Sequence, residues 1–390
     1  MGKDSKRNPG SVRKGSAKIM KLLFVGGGTG GPTAPLIAVA ESLRIRFPKA
    51  EFVFLGTRRA LDDKFIEQAA FPIVHRTIPA GKWRRPFSIK NIFDILKTFL
   101  GFCKAFYYLG RFRPDLVFGA GSYAQVPVAY AAYLRRIPVV IHQPDFRILL
   151  STRLVAPIAR AITVSFSSTA QAIGTGSGLL AKYPKSKIHV TGNPVRSSVL
   201  GGSVAEARRI FELNDRYPTI LVIGGGTGAK RLNEIVREAV PELVKYVQII
   251  HLTGSRGARG GEKTEHYHPY DFLTRDLKHA FAVADLVISR AGMATISELG
   301  RLGKVSLLVP LPGSPQEDNA KLLATLGLAV AINEKFLTPS VLLELVRKIL
   351  WNRDLQKSLR QNIQRLMPAD AEAKIGKVIH DVYERAKKSR

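Results

Sequence analysis

Short apolar runs alternate with stretches of helical periodicity through most of the first half of the chain. The runs fit buried strands, and in the stretches between them apolar residues recur three or four positions apart. This alternation is typical of a parallel sheet with helices on its faces. The predicted strands of this half are Lys21–Val25, Glu51–Leu55, Ile73–Thr77, Leu116–Gly119, Pro138–His142, Ala161–Val164 and Lys187–Val190.

The same alternation returns after a polar connection and ends in a helix-rich stretch from about Pro339. The predicted strands of the second half are Thr219–Ile223, Val247–Leu252, Leu286–Ser289, Val305–Val309 and Ala329–Ile332. We therefore expect an α/β protein with two similar parallel-sheet domains that face each other across a cleft. The predicted parts are a basic disordered tail over residues 1–19, an N-terminal domain over 20–192, a linker over 193–218, a C-terminal domain over 219–370 and a basic C-terminal helix over 371–390.

A glycine-rich turn follows the first strand of each half, over Gly26–Gly31 and Gly224–Ala229. Glycines there let backbone amides approach a ligand, and the start of the next helix adds a partial positive charge. Both turns match the dinucleotide fingerprint, but the second strand of each half ends without the carboxylate that holds a ribose. A nicotinamide cofactor is disfavoured, and we expect no cofactor. Either turn, taken alone, is also compatible with a simple strand-to-helix connection.

Basic residues outnumber acidic ones two to one, with 60 Lys and Arg against 30 Asp and Glu and a net charge of +30. Such an excess points to anionic partners: nucleic acid, an anionic membrane or phosphorylated substrates. Nucleic acid is not expected, because the cations are spread along the chain and no nucleic-acid-binding module is recognised. The eight histidines are scattered and predict no metal site.

The uncharged run from Leu116 to Leu134 is long enough to raise the question of a membrane span. Glycines and a proline interrupt it, so it fits a strand, a turn and a helix better. The single cysteine, Cys103, excludes an internal disulfide framework.

A group of small and polar residues late in the chain gives the most specific indication of what the protein binds. Small residues between Ser289 and Glu298 follow a predicted strand and open a helix, which leaves backbone amides for a diphosphate. Glu298 is spaced to accept both hydroxyls of a ribose, or it only satisfies the helix dipole. Gln316 and Asn319 follow the next strand on one helical face, where they can meet a sugar. Because Glu298 on one helix and Gln316 and Asn319 on the next reach the same sheet edge, the sequence favours a nucleotide-sugar site.

Taken in order, these motifs resemble the MurG family of UDP-N-acetylglucosamine transferases, within glycosyltransferase family 28. The resemblance runs from about Lys21 to the C-terminus and implies a GT-B fold of two Rossmann-like domains. It also implies an inverting, metal-independent transfer of N-acetylglucosamine from UDP-GlcNAc to a polyprenyl-diphosphate-linked MurNAc-pentapeptide. The matching motifs are Gly-Gly-Thr-Gly-Gly at the first turn, Gly121-Ser-Tyr123, Gly192-Asn-Pro-Val-Arg196, Arg290-x-Gly-x-x-Thr-x-x-Glu298 and Gln316-x-x-Asn319-Ala320.

The resemblance also implies roles for individual residues. Glu298 would hold the ribose, the backbone of Leu273 would contact uracil, and Gln316 and Asn319 would meet the N-acetylglucosamine hydroxyls. The residues expected on the donor side are Thr29, Gly30, Gly31, Asp145, Arg196, Gly226, Thr227, Leu273, Gly292, Met293, Ala294, Thr295, Glu298, Gln316 and Asn319. Those expected at the acceptor and its diphosphate are Gly28, Thr29, Gly30 and Tyr123.

The chain departs from the family pattern mostly on the acceptor side. Pro32 stands where the family has a histidine, and proline cannot accept a proton. The family sequence His-Glu-Gln-Asn appears here as His142-Gln-Pro-Asp145. We therefore predict that Asp145 or His142 takes the proton from the acceptor hydroxyl, since a carboxylate in a closed cleft can have a raised pKa. The alternative is that His142 only supports its loop.

Two further departures, Gln125 and Gly226 in place of family serines, leave other functions open. One is transfer to another lipid acceptor by the same fold. The other is a non-catalytic protein that binds a nucleotide sugar.

An amphipathic stretch before the fourth predicted strand indicates where the protein works. Lysines recur every seven residues on one face, and apolar residues from Ile92 to Phe106 follow helical spacing on another. We expect most of that apolar face to pack on the sheet. A membrane-binding site on an anionic leaflet is therefore predicted from the residues just before the helix, and the protein is expected to be peripheral, on the cytoplasmic face of the bacterial cell membrane. The predicted membrane residues are Trp83, Arg84, Arg85 and Phe87.

Overall fold

The computed structural model describes residues 19–27, 31–57, 63, 66–67, 69, 71–81, 90–176, 183–224, 229–254 and 262–389. Within these ranges the backbone forms two sheets in which every strand pair is parallel. The first sheet has the order β3-β2-β1-β4-β5-β6-β7 and the second β10-β9-β8-β11-β12-β13. The strands are β1 Lys21–Val25, β2 Glu51–Gly56, β3 Val74–Thr77, β4 Leu116–Gly119, β5 Val139–Gln143, β6 Ala161–Val164, β7 Ile188–Val190, β8 Thr219–Ile223, β9 Gln248–Leu252, β10 Tyr267–Tyr270, β11 Leu286–Ser289, β12 Ser306–Leu308 and β13 Val330–Ala331.

Helices connect the strands and cover the faces of both sheets. The described α-helices are α1 Thr33–Arg46, α2 Lys90–Phe112, α3 Gln125–Leu134, α4 Leu150–Val155, α5 Ser167–Gly174, α6 Val204–Phe211, α7 Lys230–Leu243, α8 Leu277–Val283, α9 Met293–Leu302, α10 Gln316–Thr325, α11 Pro339–Leu350, α12 Arg353–Leu366 and α13 Ala371–Lys388. Short 3₁₀ turns span Ala156–Ile158, Lys185–Lys187, Ser197–Val199 and Glu334–Phe336. None of the described helices combines the length and apolar composition that a membrane span requires.

The strand order of each sheet reverses at its first strand. β1 lies between β2 and β4, and β8 lies between β9 and β11. In open parallel sheets of this kind, ligands bind outside the carboxyl ends of the strands at such a switch point. The topology therefore places the carboxyl ends of β1 and β8, and the loops after β4 and β11, where a ligand is expected.

The central strands of both sheets are buried on both faces, which explains why these strands are continuous apolar runs. Along β1, Leu23 and Val25 belong to one core, while Leu22 and Phe24 belong to the core on the opposite face. Helix α13 packs against α1 on this first sheet, and its Ile375, Ile379 and Tyr383 join the second of these cores. The last helix of the chain thus returns from the second sheet to the first.

The strand predictions agree closely with the structure. Every predicted strand is present, with ends displaced by at most one residue. The run from Leu116 to Leu134 is a strand and a helix, as expected. The strand β10 was not predicted, because it contains Pro269, which lacks the amide hydrogen that a sheet interior needs. It lies at the edge of its sheet, where a proline is tolerated.

The expected orientation of α2 is wrong. Its buried face carries Asp94, Gly101, Ala105 and Leu109, and most of the large apolar side chains in its first three turns lie outside. Glycine is required at position 101 because a Cβ there would overlap the carbonyl oxygen of Pro79. Small residues allow this close approach, and most of the bulky residues that precede Ala105 are left facing away from the core. The exposed side chains are Ile92, Phe93, Ile95, Leu96, Phe99, Leu100, Phe106 and Tyr107.

Candidate active site

The loop after β5 meets the start of α10 and joins the two sheets. The buried amide of Asn319 makes the junction: its Nδ2 donates to Asp145 Oδ1 at 2.9 Å and to the Ala291 carbonyl at 3.2 Å. Its Oδ1 accepts from the Phe146 amide at 3.2 Å. The structure thus brings Asp145 and Asn319 together. Since the Asn319 amide is engaged inside the protein, this arrangement disfavours its predicted contact with a sugar hydroxyl.

Gln143 fixes the shape of the same loop, a role that sequence reasoning missed. Its Nε2 donates to the carbonyl oxygens of Asp145 at 2.8 Å and Arg147 at 2.9 Å. Its Oε1 accepts from the Thr152 hydroxyl at 2.6 Å. Asp145 therefore sits on a loop that is held from both ends.

Asp145 has the electrostatic properties of a proton acceptor. The side chain is partly exposed, and its desolvation raises the pKa of the carboxyl above the ordinary 3.8, against the opposing effect of the hydrogen bond from Asn319. A carboxylate with a raised pKa is more basic than one on an open surface, which suits general-base catalysis.

His142 lies inside the protein. Its Nδ1 is 2.9 Å from Thr163 Oγ1 and its Nε2 is 2.9 Å from Asn193 Oδ1, and the residue is fully buried. Burial lowers the pKa of His142 to about 4. With both ring nitrogens engaged and no exposed surface, the predicted role as catalytic base is contradicted by this geometry. The alternative, in which His142 supports its surroundings, fits it.

Asn193 links the first sheet to α9, and its importance was not predicted. Its Nδ2 donates to Ser297 Oγ at 2.8 Å, and Ser297 Oγ donates to the Met293 carbonyl at 2.8 Å. Since the amide nitrogen faces Ser297, the Asn193 oxygen faces His142, and His142 Nε2 carries the proton. Asn193 stands in the matching motif Gly192-Asn-Pro-Val-Arg196, but an amide residue between a glycine and a proline is also what an ordinary turn shows.

Helix α9 begins directly after β11 and presents a free N-terminal turn. Gly292 is its N-cap, and the described residues include neither a side-chain cap nor an acid in the first turn. The amide of Gln316 lies beside this turn: a Cβ at Gly292 would be 3.9 Å from Gln316 Nε2. A helix start without its own counter-charge attracts anions. The residues at the turn, predicted to hold a diphosphate, are Gly292, Met293, Ala294 and Thr295.

A buried ion pair lies further along α9. Glu298 Oε1 accepts from Arg196 Nη2 at 2.7 Å and from Nε at 3.2 Å. Both side chains are 7% exposed. The pair ties the segment after β7 to α9 and fixes the carboxylate beside the predicted diphosphate turn. The ribose contact of Glu298 stays a prediction.

The other predicted site residues are spread over the same sheet edges. Leu273 is buried shortly after β10, and Tyr123 and Gly31 lie on the loops that precede α3 and α1. Ser122 Oγ donates to the Gly27 carbonyl at 3.0 Å, which joins these two loops. The predicted residues that lie outside the described ranges are Gly28, Thr29, Gly30, Trp83, Arg84, Arg85, Phe87, Gly226 and Thr227.

Models of two protein domains match this chain, one on each sheet. The N-terminal domain of glycosyltransferase family 28 matches residues 22–164, and the C-terminal domain of the same family matches residues 219–375. A UDP-N-acetylglucosamine–N-acetylmuramyl-(pentapeptide) pyrophosphoryl-undecaprenol N-acetylglucosamine transferase of Treponema denticola is 33% identical over 383 residues, 92% of this chain and 96% of the relative. The enzyme of the same name from Desulforamulus reducens is 32% identical, over 94% of this chain and 100% of the relative.

Solved structures share the fold. The crystal structure of Acinetobacter baumannii MurG has a TM-score of 0.66 and 24% identity, over 93% of this chain and 99% of that one. The UDP-GlcNAc 2-epimerase of Neisseria meningitidis, bound to UDP-GlcNAc, has a TM-score of 0.67 and 14% identity, over 93% of this chain and 100% of that one. At these identities the likeness concerns the fold alone.

Proposed function

The chain belongs to glycosyltransferase family 28, with the GT-B fold, and from this membership we propose that it transfers N-acetylglucosamine from UDP-GlcNAc to lipid I. Lipid I is the polyprenyl-diphosphate-linked MurNAc-pentapeptide, and the product, lipid II, serves peptidoglycan synthesis. The observation that carries the proposal is the match to relatives of this named activity over more than nine-tenths of the chain.

The donor is assigned to the second sheet. The free N-terminal turn of α9 suits the diphosphate of UDP, and the amide of Gln316 lies where it can contact either the diphosphate or the attached sugar. Glu298, held by Arg196, is the carboxylate nearest in sequence to this turn and takes the ribose. The uracil is assigned to the backbone near Leu273.

The acceptor hydroxyl is assigned to the loop after β5, where Asp145 acts as the general base. The acceptor oxygen attacks the anomeric carbon, its proton passes to the Asp145 carboxylate, and UDP leaves with the electrons of the broken sugar–phosphate bond. A residue with a raised pKa accepts that proton better than a surface aspartate would. Asn319 positions the carboxylate through its hydrogen bond to Oδ1.

Acceptor-dependent release of UDP tests the proposed function. The purified protein is mixed with UDP-GlcNAc and a water-soluble lipid I analogue, and UDP formation is followed with and without the analogue. We expect release only when the analogue is present. Turnover with a diacylglycerol or dolichol-type acceptor instead would identify a transferase with another lipid substrate, and binding of UDP-GlcNAc without turnover would identify a non-catalytic homologue.

The outer face of α2 is assigned to the membrane surface, on the cytoplasmic side where nucleotide sugars are made. Phe93, Leu96 and Phe99 are 56–63% exposed, and exposed apolar side chains of this size on one helix face mark an interaction site. Lys97 lies among them on the same helix. An amphipathic helix with cations beside its apolar face binds anionic leaflets, and each lysine near the surface contributes about 1 kcal/mol.

Replacing Phe93 and Phe99 together by serine is expected to weaken binding to phosphatidylglycerol vesicles by about tenfold or more, because the buried apolar area is lost. Vesicle flotation measures the effect. Both side chains are exposed, so folding and turnover of a water-soluble acceptor should be unchanged. The matched control replaces Leu326 and Phe336, two exposed apolar residues of the second domain, by serine. Equal loss of vesicle binding in the control, or no loss in the α2 variant, would contradict the assignment of α2 to the membrane surface.

A further inference from the structure

A second concave site lies at the opposite edge of the second sheet from the candidate active site. A cavity of about 690 Å³ opens at the amino ends of β8, β9 and β11, between α6, α12 and the segment 214–218. Its volume is within the range of about 300–1,000 Å³ that is usual for small-molecule sites. Neither the donor nor the acceptor is assigned to this edge, so the cavity is unexplained by the proposed function. We call it the basic cavity.

Cations dominate the lining of the basic cavity. The acids in it are Asp215 and Asp285, and the Asp285 carboxylate already accepts the Thr219 amide at 2.8 Å. None of the ion pairs found among the described residues involves a cation of this lining. Several cations around one cavity repel one another, and a multivalent anion relieves that repulsion. The lining cations are Arg208, Arg216, Lys304, Arg353 and Arg360.

The walls of the basic cavity are held in place by hydrogen bonds. Gln248 pins the segment 214–218: its Nε2 donates to the carbonyl oxygens of Asn214 at 2.8 Å and Tyr217 at 3.1 Å, and its Oε1 accepts from the Asn214 amide at 2.9 Å. On the opposite wall, Lys304 Nζ donates to the carbonyl oxygens of Ala282 at 2.9 Å and Ala284 at 3.0 Å. These contacts fix the position of the ammonium group.

One helix supplies a recognition face to the cavity. Arg353 and Arg360 lie two turns apart on α12, so they present two guanidinium groups on one side. Gln356 lies between them and is engaged within the protein, since its Nε2 donates to the carbonyl oxygens of Ile349 at 3.0 Å and Leu350 at 2.8 Å. A smaller adjoining cavity of about 350 Å³ shares these three residues and adds Lys357 and Gln361. Guanidinium groups bind phosphate oxygens in pairs, which makes arginine the usual choice for phosphate recognition.

We propose that the basic cavity binds an anion with two or more phosphate groups, at a site separate from the donor cleft. Two phosphates match a lining with several cations on facing walls better than a single charge does. The concave shape and the volume suit a small molecule or a lipid headgroup. The inference is independent of the proposed function, since no residue of the basic cavity takes part in transfer.

Calorimetric titration with inorganic tripolyphosphate, in buffer without nucleotide, tests the proposal on the full chain. The test variant carries Arg353→Gln and Arg360→Gln, and the control carries Lys377→Gln and Lys387→Gln on α13. All four side chains are exposed and each variant removes two positive charges. In the wild type we expect a tripolyphosphate site whose affinity is about tenfold lower in the test variant and unchanged in the control, while binding at the donor cleft is equal in all three proteins. Absence of that site, equal weakening in both variants, or an unaffected test variant would overturn the proposal.

Competition with vesicles identifies the source of the phosphates. Displacement of tripolyphosphate by vesicles that contain cardiolipin, whose headgroup carries two phosphates, but not by phosphatidylcholine vesicles, would assign the site to a lipid headgroup. No displacement by either would assign it to a free phosphate compound. In both cases transfer activity of the test variant in ligand-free buffer should equal that of the wild type.

Discussion

Replacing Asp145 by asparagine is expected to lower kcat by about 10²- to 10⁴-fold, the usual contribution of a general base. Asparagine keeps an oxygen that can accept the hydrogen bond from Asn319 Nδ2, so the junction between the two sheets survives. Only the capacity to take a proton is lost. Steady-state kinetics with a lipid I analogue should therefore show a fall in kcat with little change in the KM for UDP-GlcNAc.

The pH dependence of kcat gives an independent measure of the same residue. The base works in its ionised form, so kcat falls as the pH drops through the pKa of Asp145. Desolvation raises that pKa above 3.8, which places the acidic limb of the wild-type profile above the range of an ordinary aspartate. In the Asp145→Asn variant this limb should be absent.

His142→Gln is the matched control for Asp145→Asn, because both residues were candidates for the base. Buried His142 has both ring nitrogens engaged, so its replacement should lower the free energy of unfolding while the shape of the pH profile is kept. Wild-type kcat in Asp145→Asn, or loss of the acidic limb in His142→Gln alone, would contradict the assignment of Asp145.

The central strands of both sheets were predictable from the sequence because they are apolar runs buried on both faces. No residue of β1 or β4 is exposed, so the apolar pattern of these strands is easily recognised in the sequence. The strand β10, with a proline at position 269, gave no such signal. Its place in the sheet depends on pairing with the preceding strand β9 rather than on its own composition.

Helix α2 shows why periodicity alone does not settle which face is buried. The large apolar residues and the small ones both follow helical spacing, and the sequence offers no measure of how closely the helix approaches its neighbours. Close packing at Gly101 and Ala105 determines which face of the helix is buried and leaves Phe93 and Phe99 exposed. An apolar face that was expected in the core becomes the surface proposed for the membrane.

Contacts between distant parts of the chain account for the remaining differences at the site. Asp145 and Asn319 are 174 residues apart, and each was predicted separately to meet a substrate. Likewise, Asn193 and Ser297 are 104 residues apart, and their hydrogen bond could be derived only from the fold. Residue type and spacing predicted which strand ends these residues follow, but the partner of each side chain depends on how the two sheets face each other.

Removing the carboxylate of Glu298 is the second change with a large expected effect. In the Glu298→Ala variant the guanidinium of Arg196 stays buried without this partner. Breaking a buried ion pair by deleting one member destabilises a protein by about 3–5 kcal/mol. Urea unfolding at neutral pH should show a free energy of unfolding that is lower by this amount. A double variant, Arg196→Met with Glu298→Leu, should recover most of it, since apolar residues of similar volume often replace a buried pair without loss.

The double variant also separates the structural role of the pair from its role in donor binding. If Glu298 accepts the ribose hydroxyls, the stable double variant should still bind UDP at least about tenfold more weakly than the wild type, because hydrogen bonds to a charged group are lost. The affinities of the double variant for UDP and for inorganic diphosphate, which lacks the uridine, are measured by titration. Only the affinity for UDP should fall. Wild-type affinity for UDP in the stable double variant would mean that the Glu298 carboxylate only compensates the charge of Arg196. The ribose would then have to be held elsewhere on the second sheet.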